Sequence, residues 1–63
     1  MFTQINELYY NKFWIILLDD TTTEEVGGST KYPLIYTFAN GEKITEYFNT
    51  ASARTTKINQ VKT

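Results

Sequence analysis

An unbroken run of six apolar residues, Phe-Trp-Ile-Ile-Leu-Leu at positions 13–18, constrains the fold of this chain more than any other feature. A helix needs about 20 apolar residues to span a bilayer, so the run is far too short for a membrane segment. Its aromatic and β-branched residues and its abrupt end at Asp19-Asp20 are typical of a strand. The sequence therefore predicts a central strand over about residues 12–18.

Both faces of this strand are predicted to be apolar, because side chains alternate between the two faces of a strand. One face carries Phe13, Ile15 and Leu17, and the other carries Trp14, Ile16 and Leu18. A sheet with one face in water shows polar residues in one of the two sets. Neither set is polar here, so we expect both faces to be covered, by the chain itself or by a second molecule.

The composition excludes several kinds of site. The chain has 63 residues and is expected to form one small domain over 1–63, and such chains seldom obtain more than about 3–5 kcal/mol from a single core. It has no cysteine and no histidine, which rules out disulfides, thiolate ligands and the Ser–His–Asp or Cys–His nucleophiles. We expect no enzyme activity, no cofactor and no metal site.

The N-terminal half carries weaker signals. Residues 1–5 predict a short first strand, and residues 7–11 predict a turn into the apolar run. The polar interval 19–31 fits two structures: a twisted ribbon turning at Gly27-Gly28, or a mobile loop. Its acidic residues lack the spacing of an EF-hand, and Gly27-Gly28 lacks the spacing of a phosphate loop.

Asn40-Gly41 predicts a hairpin turn between a strand over residues 32–39 and the next strand. A three-residue loop with Gly41 at positive φ separates polar from apolar side chains better than a two-residue loop, so we predict the bulged form. One face then carries Leu34, Tyr36, Phe38, Ile44 and Phe48, and the other carries Ile35, Thr37, Lys43, Thr45 and Tyr47. Glu42 and Glu46 are predicted to reach water from the first face.

Asn49-Thr50 is typical of a helix cap, and a helix is predicted from about residue 51 to residue 61. Ala51, Arg54 or Thr55, Ile58 and Val61 recur at helical spacing and form a narrow apolar stripe. The complete expectation is an α+β fold: a three- to four-stranded antiparallel β-meander with one C-terminal helix packed on one face.

The Tyr10-Asn11 pair ahead of Trp14-Ile15, together with Asn40-Gly41-Glu42 and Phe48-Asn49-Thr50, resembles a diffuse set of short uncharacterised β-rich proteins of bacteria and phages. The resemblance implies a meander with a C-terminal helix and a phage or mobile-element origin, and it transfers no functional residue. No basic and apolar leader is visible in residues 1–6. We therefore expect a host cytoplasmic protein, or a virion protein if a phage encodes it.

Two functions fit these features. The first is a homo-oligomeric protein-binding or structural module, with a homodimer favoured and another protein as a further partner, because large apolar patches usually mark interfaces. Its predicted interface residues are Trp14, Ile16, Leu18, Ile35 and Tyr47. The alternative is a single-stranded nucleic-acid-binding protein that stacks bases on tyrosines and contacts the backbone through Arg54, Lys57 and Lys62. The net charge of −1 disfavours that alternative.

A monomer is the alternative to the homo-oligomer. It would require the N-terminal residues 2–10 to fold over the sheet face that the helix leaves uncovered.

Overall fold

The computed structural model describes residues 2–62, which form six strands and one α-helix. The strands are β1 (Phe2–Ile5), β2 (Leu8–Asn11), β3 (Ile15–Asp19), β4 (Glu24–Val26), β5 (Ser29–Phe38) and β6 (Lys43–Phe48), and the helix is α1 (Ala51–Lys62). β1 and β2 form a two-stranded antiparallel sheet, and the other strands form a four-stranded antiparallel sheet. The predicted α+β meander with a C-terminal helix is confirmed.

The apolar run forms a strand as predicted, but only over Ile15–Asp19, and the prediction that it is the central strand is wrong, because the central strand is β5. β5 pairs with β6 along one edge, and along the other edge it pairs with β3 and β4 end to end. β3 therefore lies at the edge of the sheet. The first part of the apolar run forms a 3₁₀ turn (Lys12–Trp14), because the Asn11 carboxamide oxygen accepts the Phe13 N–H at 3.0 Å and turns the chain.

A β-bulge at Ile16 overturns the predicted alternation of the apolar run. Ile15 pairs with Phe38, and Leu17 pairs with the residue just before Phe38, so Ile16 is an extra residue in β3. Ile15 and Leu18 consequently lie on the same face of the sheet, and Leu17 lies on the opposite face. Leu18, predicted as an interface residue, is half-buried and packs against the core with part of its side chain.

The N-terminal hairpin also differs from the expectation. The predicted first strand is confirmed over Phe2–Ile5, while Met1 lies outside the described residues. The turn is at Asn6-Glu7, where Asn6 has a φ of 57°. The predicted turn over residues 7–11 is wrong, because Leu8–Asn11 pairs with β1 as a strand.

The polar interval forms a ribbon over its second half. Glu24 pairs with Lys31, and Val26 pairs with Ser29 across the two-residue turn at Gly27-Gly28. Both glycines have positive φ, 60° and 84°, which is the conformation that two-residue hairpin turns of this kind require. Residues 20–23 are outside any strand and separate β3 from β4.

The predicted bulged hairpin at Asn40-Gly41 is confirmed. The Phe38 N–H donates to the Glu42 carbonyl oxygen at 2.8 Å, and the Gly41 N–H donates to the Phe38 carbonyl oxygen at 2.9 Å. Gly41 has a φ of 92°. The resulting register pairs Tyr36 with Ile44 and gives the two predicted faces.

The core lies between one face of the four-stranded sheet and a layer made of α1 and the β1–β2 hairpin. The Thr50 hydroxyl caps α1 by accepting the Ala53 N–H at 3.0 Å, which confirms the predicted start of the helix. The hairpin packs on the same face as the helix and does not cover the opposite face, contrary to the monomeric alternative. The buried cluster is Ile5, Leu34, Tyr36, Phe38, Ile58 and Val61.

Candidate interaction surface

Four of the six side chains in the apolar run remain largely in water. Phe13 is 78 % exposed, Trp14 63 %, Ile16 65 % and Leu17 57 %. The 3₁₀ turn and the bulge direct these side chains away from the core, and we refer to the four residues as the apolar edge. A large apolar side chain has an area of about 150–250 Å², and each of these four is more than half exposed, so together they expose on the order of 500 Å². That is as large as the largest apolar patch of a typical monomer.

The sheet face opposite α1 continues this surface. The register places Ile35 beside Thr45 and the fully buried Pro33 beside Tyr47 on this face, and Leu17 joins it from β3. Tyr47 is 49 % exposed and Ile35 is half-buried. Of the predicted interface residues, Trp14 and Ile16 thus belong to the apolar edge, Ile35 and Tyr47 lie on the open face, and Leu18 belongs to neither.

A groove of about 370 Å³ runs along the outside of β3, between this strand and the C-terminal end of α1. Two lysines from distant parts of the sequence, Lys12 and Lys62, are among its lining residues. Asp19 and Asp20 lie at the other end of β3. The hydroxyl and the N–H of Thr21 bond to the Asp19 carboxylate, at 2.6 Å and 3.0 Å, and hold its pKa below the usual value. The strand therefore has cations near one end and an acidic group at the other. The apolar lining is Ile15, Ile16, Leu17, Leu18 and Val61.

β3 also has a free backbone edge, since among residues 2–62 no strand pairs with its outer side. The Phe38 N–H points to β6, so the polar groups of its neighbour Thr37 point to β3. Leu17, the partner of Thr37, therefore directs its N–H and C=O inward. By the same alternation the N–H and C=O of Leu18 point outward and are open to a further strand.

The basic helix residues predicted for nucleic acid do not form a common free surface. Arg54 donates to the carbonyl oxygens of Thr22 and Pro33 at 2.7 and 3.1 Å, and Lys57 Nζ donates to the carbonyl oxygen of Gln4. These two cations hold α1 to the rest of the chain. Lys62 is exposed beside the β3 groove.

Glu46 has an internal role that sequence reasoning missed. Its half-exposed carboxylate accepts the Tyr36 hydroxyl at 2.7 Å and the Asn6 N–H at 3.1 Å, so in addition to the predicted contact with water it joins β5 to the β1–β2 turn. Burial and the Glu46 acceptor together raise the pKa of Tyr36 well above its usual value. The signal available in the sequence was the cross-strand spacing of Tyr36 and Glu46 in the predicted register, which places both on the core face.

Within residues 2–62, no group of three or more acidic side chains is arranged to hold a metal ion. No helix in that part of the chain is long and apolar enough to cross a membrane. Comparisons with family models, with curated proteins and with solved structures find no match to this chain.

Proposed function

We propose that this protein is a small non-enzymatic module that forms a homodimer through the apolar edge and the β3 groove. The observation that carries the proposal is that Phe13, Trp14, Ile16 and Leu17 are each more than half exposed beside an unpaired strand edge. Water contact at such a surface is unfavourable, because burying each side chain fully is worth roughly 1.5–3 kcal/mol. The resemblance to small phage and bacterial proteins supports an accessory role for the dimer, with another protein as its further partner.

The charges along β3 favour an antiparallel arrangement of two copies. If two copies pair antiparallel about Leu18, Asp19 and Asp20 of the partner subunit lie opposite Leu17 and Ile16, on the side of the axis toward Lys12 and Lys62. A two-fold axis produces this contact twice, and like charges would meet in a parallel arrangement. Strand addition at a free edge is a common mode of association.

Side chains contribute more to this association than the backbone does. The bulge at Ile16 shortens the regular part of β3, so pairing about Leu18 supplies few backbone hydrogen bonds. Each of these bonds contributes a net stabilisation of about 0.5–1.5 kcal/mol. A standard interface buries about 800 Å² per partner. The apolar edge provides on the order of 500 Å² of this area, and the neighbouring residues Ile35 and Tyr47 of the open face extend it.

Light scattering or sedimentation at micromolar concentration tests the proposal. We expect wild type at twice the chain mass of 7.3 kDa and a folded monomer for Ile16→Glu, because a carboxylate there cannot be buried unpaired. Leu8→Glu is the matched control: Leu8 is 64 % exposed, as Ile16 is 65 % exposed, but it lies on the N-terminal hairpin. A wild-type monomer with native circular dichroism would refute the dimer.

The nucleic-acid alternative receives less support from the structure. Arg54 and Lys57 make internal hydrogen bonds, and phosphate contacts by free cations dominate the affinity of proteins for single strands. A salt-dependent shift of labelled single-stranded oligonucleotides that Lys62→Gln abolishes would reverse this order.

A further inference from the structure

A second groove, of about 500 Å³, lies at the end of the sheet where β5 turns into β6. It is within the size range of small-molecule sites, about 300–1,000 Å³. Its residues come from β2, from the 3₁₀ turn and from the β5–β6 hairpin, so the tertiary fold assembles it. The lining is Tyr10, Trp14, Phe38, Ala39, Asn40 and Glu42.

Hydrogen bonds and ring packing hold the groove in shape. The Ala39 N–H donates to the Trp14 carbonyl oxygen at 2.8 Å, which ties the 3₁₀ turn to the hairpin. The rings of Tyr10 and Phe38 are 5.4 Å apart between centroids and inclined by 49°. Phe38 is 5 % exposed, whereas Trp14 is 63 % exposed, so the lining combines a buried ring with one that is open to water.

The chemistry of the lining suits a cation with an apolar surface. Three aromatic rings line one groove, and ring faces attract an ammonium group within about 6 Å of the centroid. The Glu42 carboxylate adds a formal negative charge, and no lysine or arginine is among the lining residues. The nearest cations in sequence are directed elsewhere: Lys12 Nζ donates to the Gln60 carbonyl oxygen at 3.2 Å, and Lys43 lies on the open face.

We propose that this groove binds a small methylated ammonium ion of the choline type, free in solution. The methyl groups contact Tyr10, Trp14 and Phe38, and the positive charge is balanced by Glu42. An uncharged apolar ligand would gain the contacts with the rings but not the attraction to their faces or to the carboxylate. Trp14 belongs to the apolar edge as well as to this groove, so binding is measured with the Ile16→Glu variant as well as with wild type, since Ile16 and Leu17 lie outside the lining.

The test compares choline with the neutral alcohol in which a tert-butyl group replaces the trimethylammonium group. Trp14 is the sole tryptophan of the chain, so its fluorescence reports on the groove directly. We expect saturable binding of choline, and binding of the alcohol weaker by about tenfold or more. Equal binding of the two compounds, or no saturable change with choline, would overturn the proposal.

A pair of charge-neutralising variants separates the role of Glu42 from a general effect of net charge. We expect Glu42→Gln to weaken choline binding several-fold and to leave binding of the alcohol unchanged. Glu7→Gln removes the same charge from an exposed position in the β1–β2 turn and should bind choline as wild type does. If Glu42→Gln, with an unchanged melting temperature, binds choline as tightly as wild type, the assignment of a cation site is wrong.

Discussion

The Arg54 guanidinium donates to the carbonyl oxygen of Pro33 at 3.1 Å and so fills the gap between β3 and β4 at the edge of β5. Pro33 has no N–H, and its carbonyl oxygen faces residues 20–23, where no strand is present to pair with it. The same Nη1 atom donates to the Thr22 carbonyl oxygen at 2.7 Å, and the guanidinium carbon lies 5.5 Å from the centroid of the Tyr32 ring. The C-terminal helix thereby closes a break in the sheet.

Replacing Arg54 should therefore destabilise the fold. We expect Arg54→Met to lower the free energy of unfolding by about 1–3 kcal/mol, because the Pro33 carbonyl loses a charged donor. Arg54→Lys should recover only part of this loss, since an ammonium cannot reproduce the planar fork and its stacking. Urea denaturation at fixed protein concentration measures both, with Asn59→Met on the exposed side of α1 as the control. Equal stability of Arg54→Met and wild type would contradict the bridging role.

The part-buried Tyr36–Glu46 hydrogen bond predicts sensitivity to alkali. The folded state raises the pKa of Tyr36, so the hydroxyl keeps its proton at pH values where the unfolded chain, with a pKa of about 10, has lost it. The stabilisation is fully present below about pH 10 and is lost progressively as the pH rises further. Tyr36→Phe should be less stable at neutral pH and should lose less stability above about pH 10 than wild type does. Urea midpoints across this range decide it, and parallel curves would disprove the link.

The contacts of Asp19 predict the opposite pH dependence. The Thr21 hydroxyl and N–H lower its pKa, so this stabilisation is present above the unfolded pKa of about 3.9 and is lost as the pH falls below it. Thr21→Val removes the hydroxyl donor and should raise the pKa of Asp19 toward its usual value. NMR titration of the Asp19 carboxyl carbon measures the shift, and Thr23→Val, two residues further on, should leave it unchanged.

Gly41 supplies the left-handed conformation of the bulged hairpin. Nothing lies within 4 Å of a Cβ added there, so the cost of Gly41→Ala comes from the φ of 92° alone. We expect a loss of about 1 kcal/mol, or a fall in melting temperature of roughly 4–8 °C for a domain of this size. Gly41→Asn should lose less, because asparagine tolerates positive φ. An unchanged melting temperature for Gly41→Ala would show that the hairpin relaxes into another turn.

Local chemistry allowed several parts of the fold to be predicted from the sequence. The hairpin at Asn40-Gly41 depends on a glycine at positive φ and on the polarity of the residues that follow it, and both are visible in the sequence. The start of α1 depends on the Thr50 hydroxyl and the N–H of Ala53, three residues away. Interactions over so few residues are encoded in the order of the residues themselves.

Only the tertiary structure decided where the apolar run lies and which of its side chains remain exposed. The bulge at Ile16 shifts the parity of β3 by one, and hydrophobic alternation cannot reveal this shift when both sets of side chains are apolar. The bridge from Arg54 to Pro33 and the contact of Tyr10 with Phe38 join residues far apart in the sequence. The edge position of β3 follows from competition between strands for the ten residues of β5, and that competition is settled by packing across the whole chain.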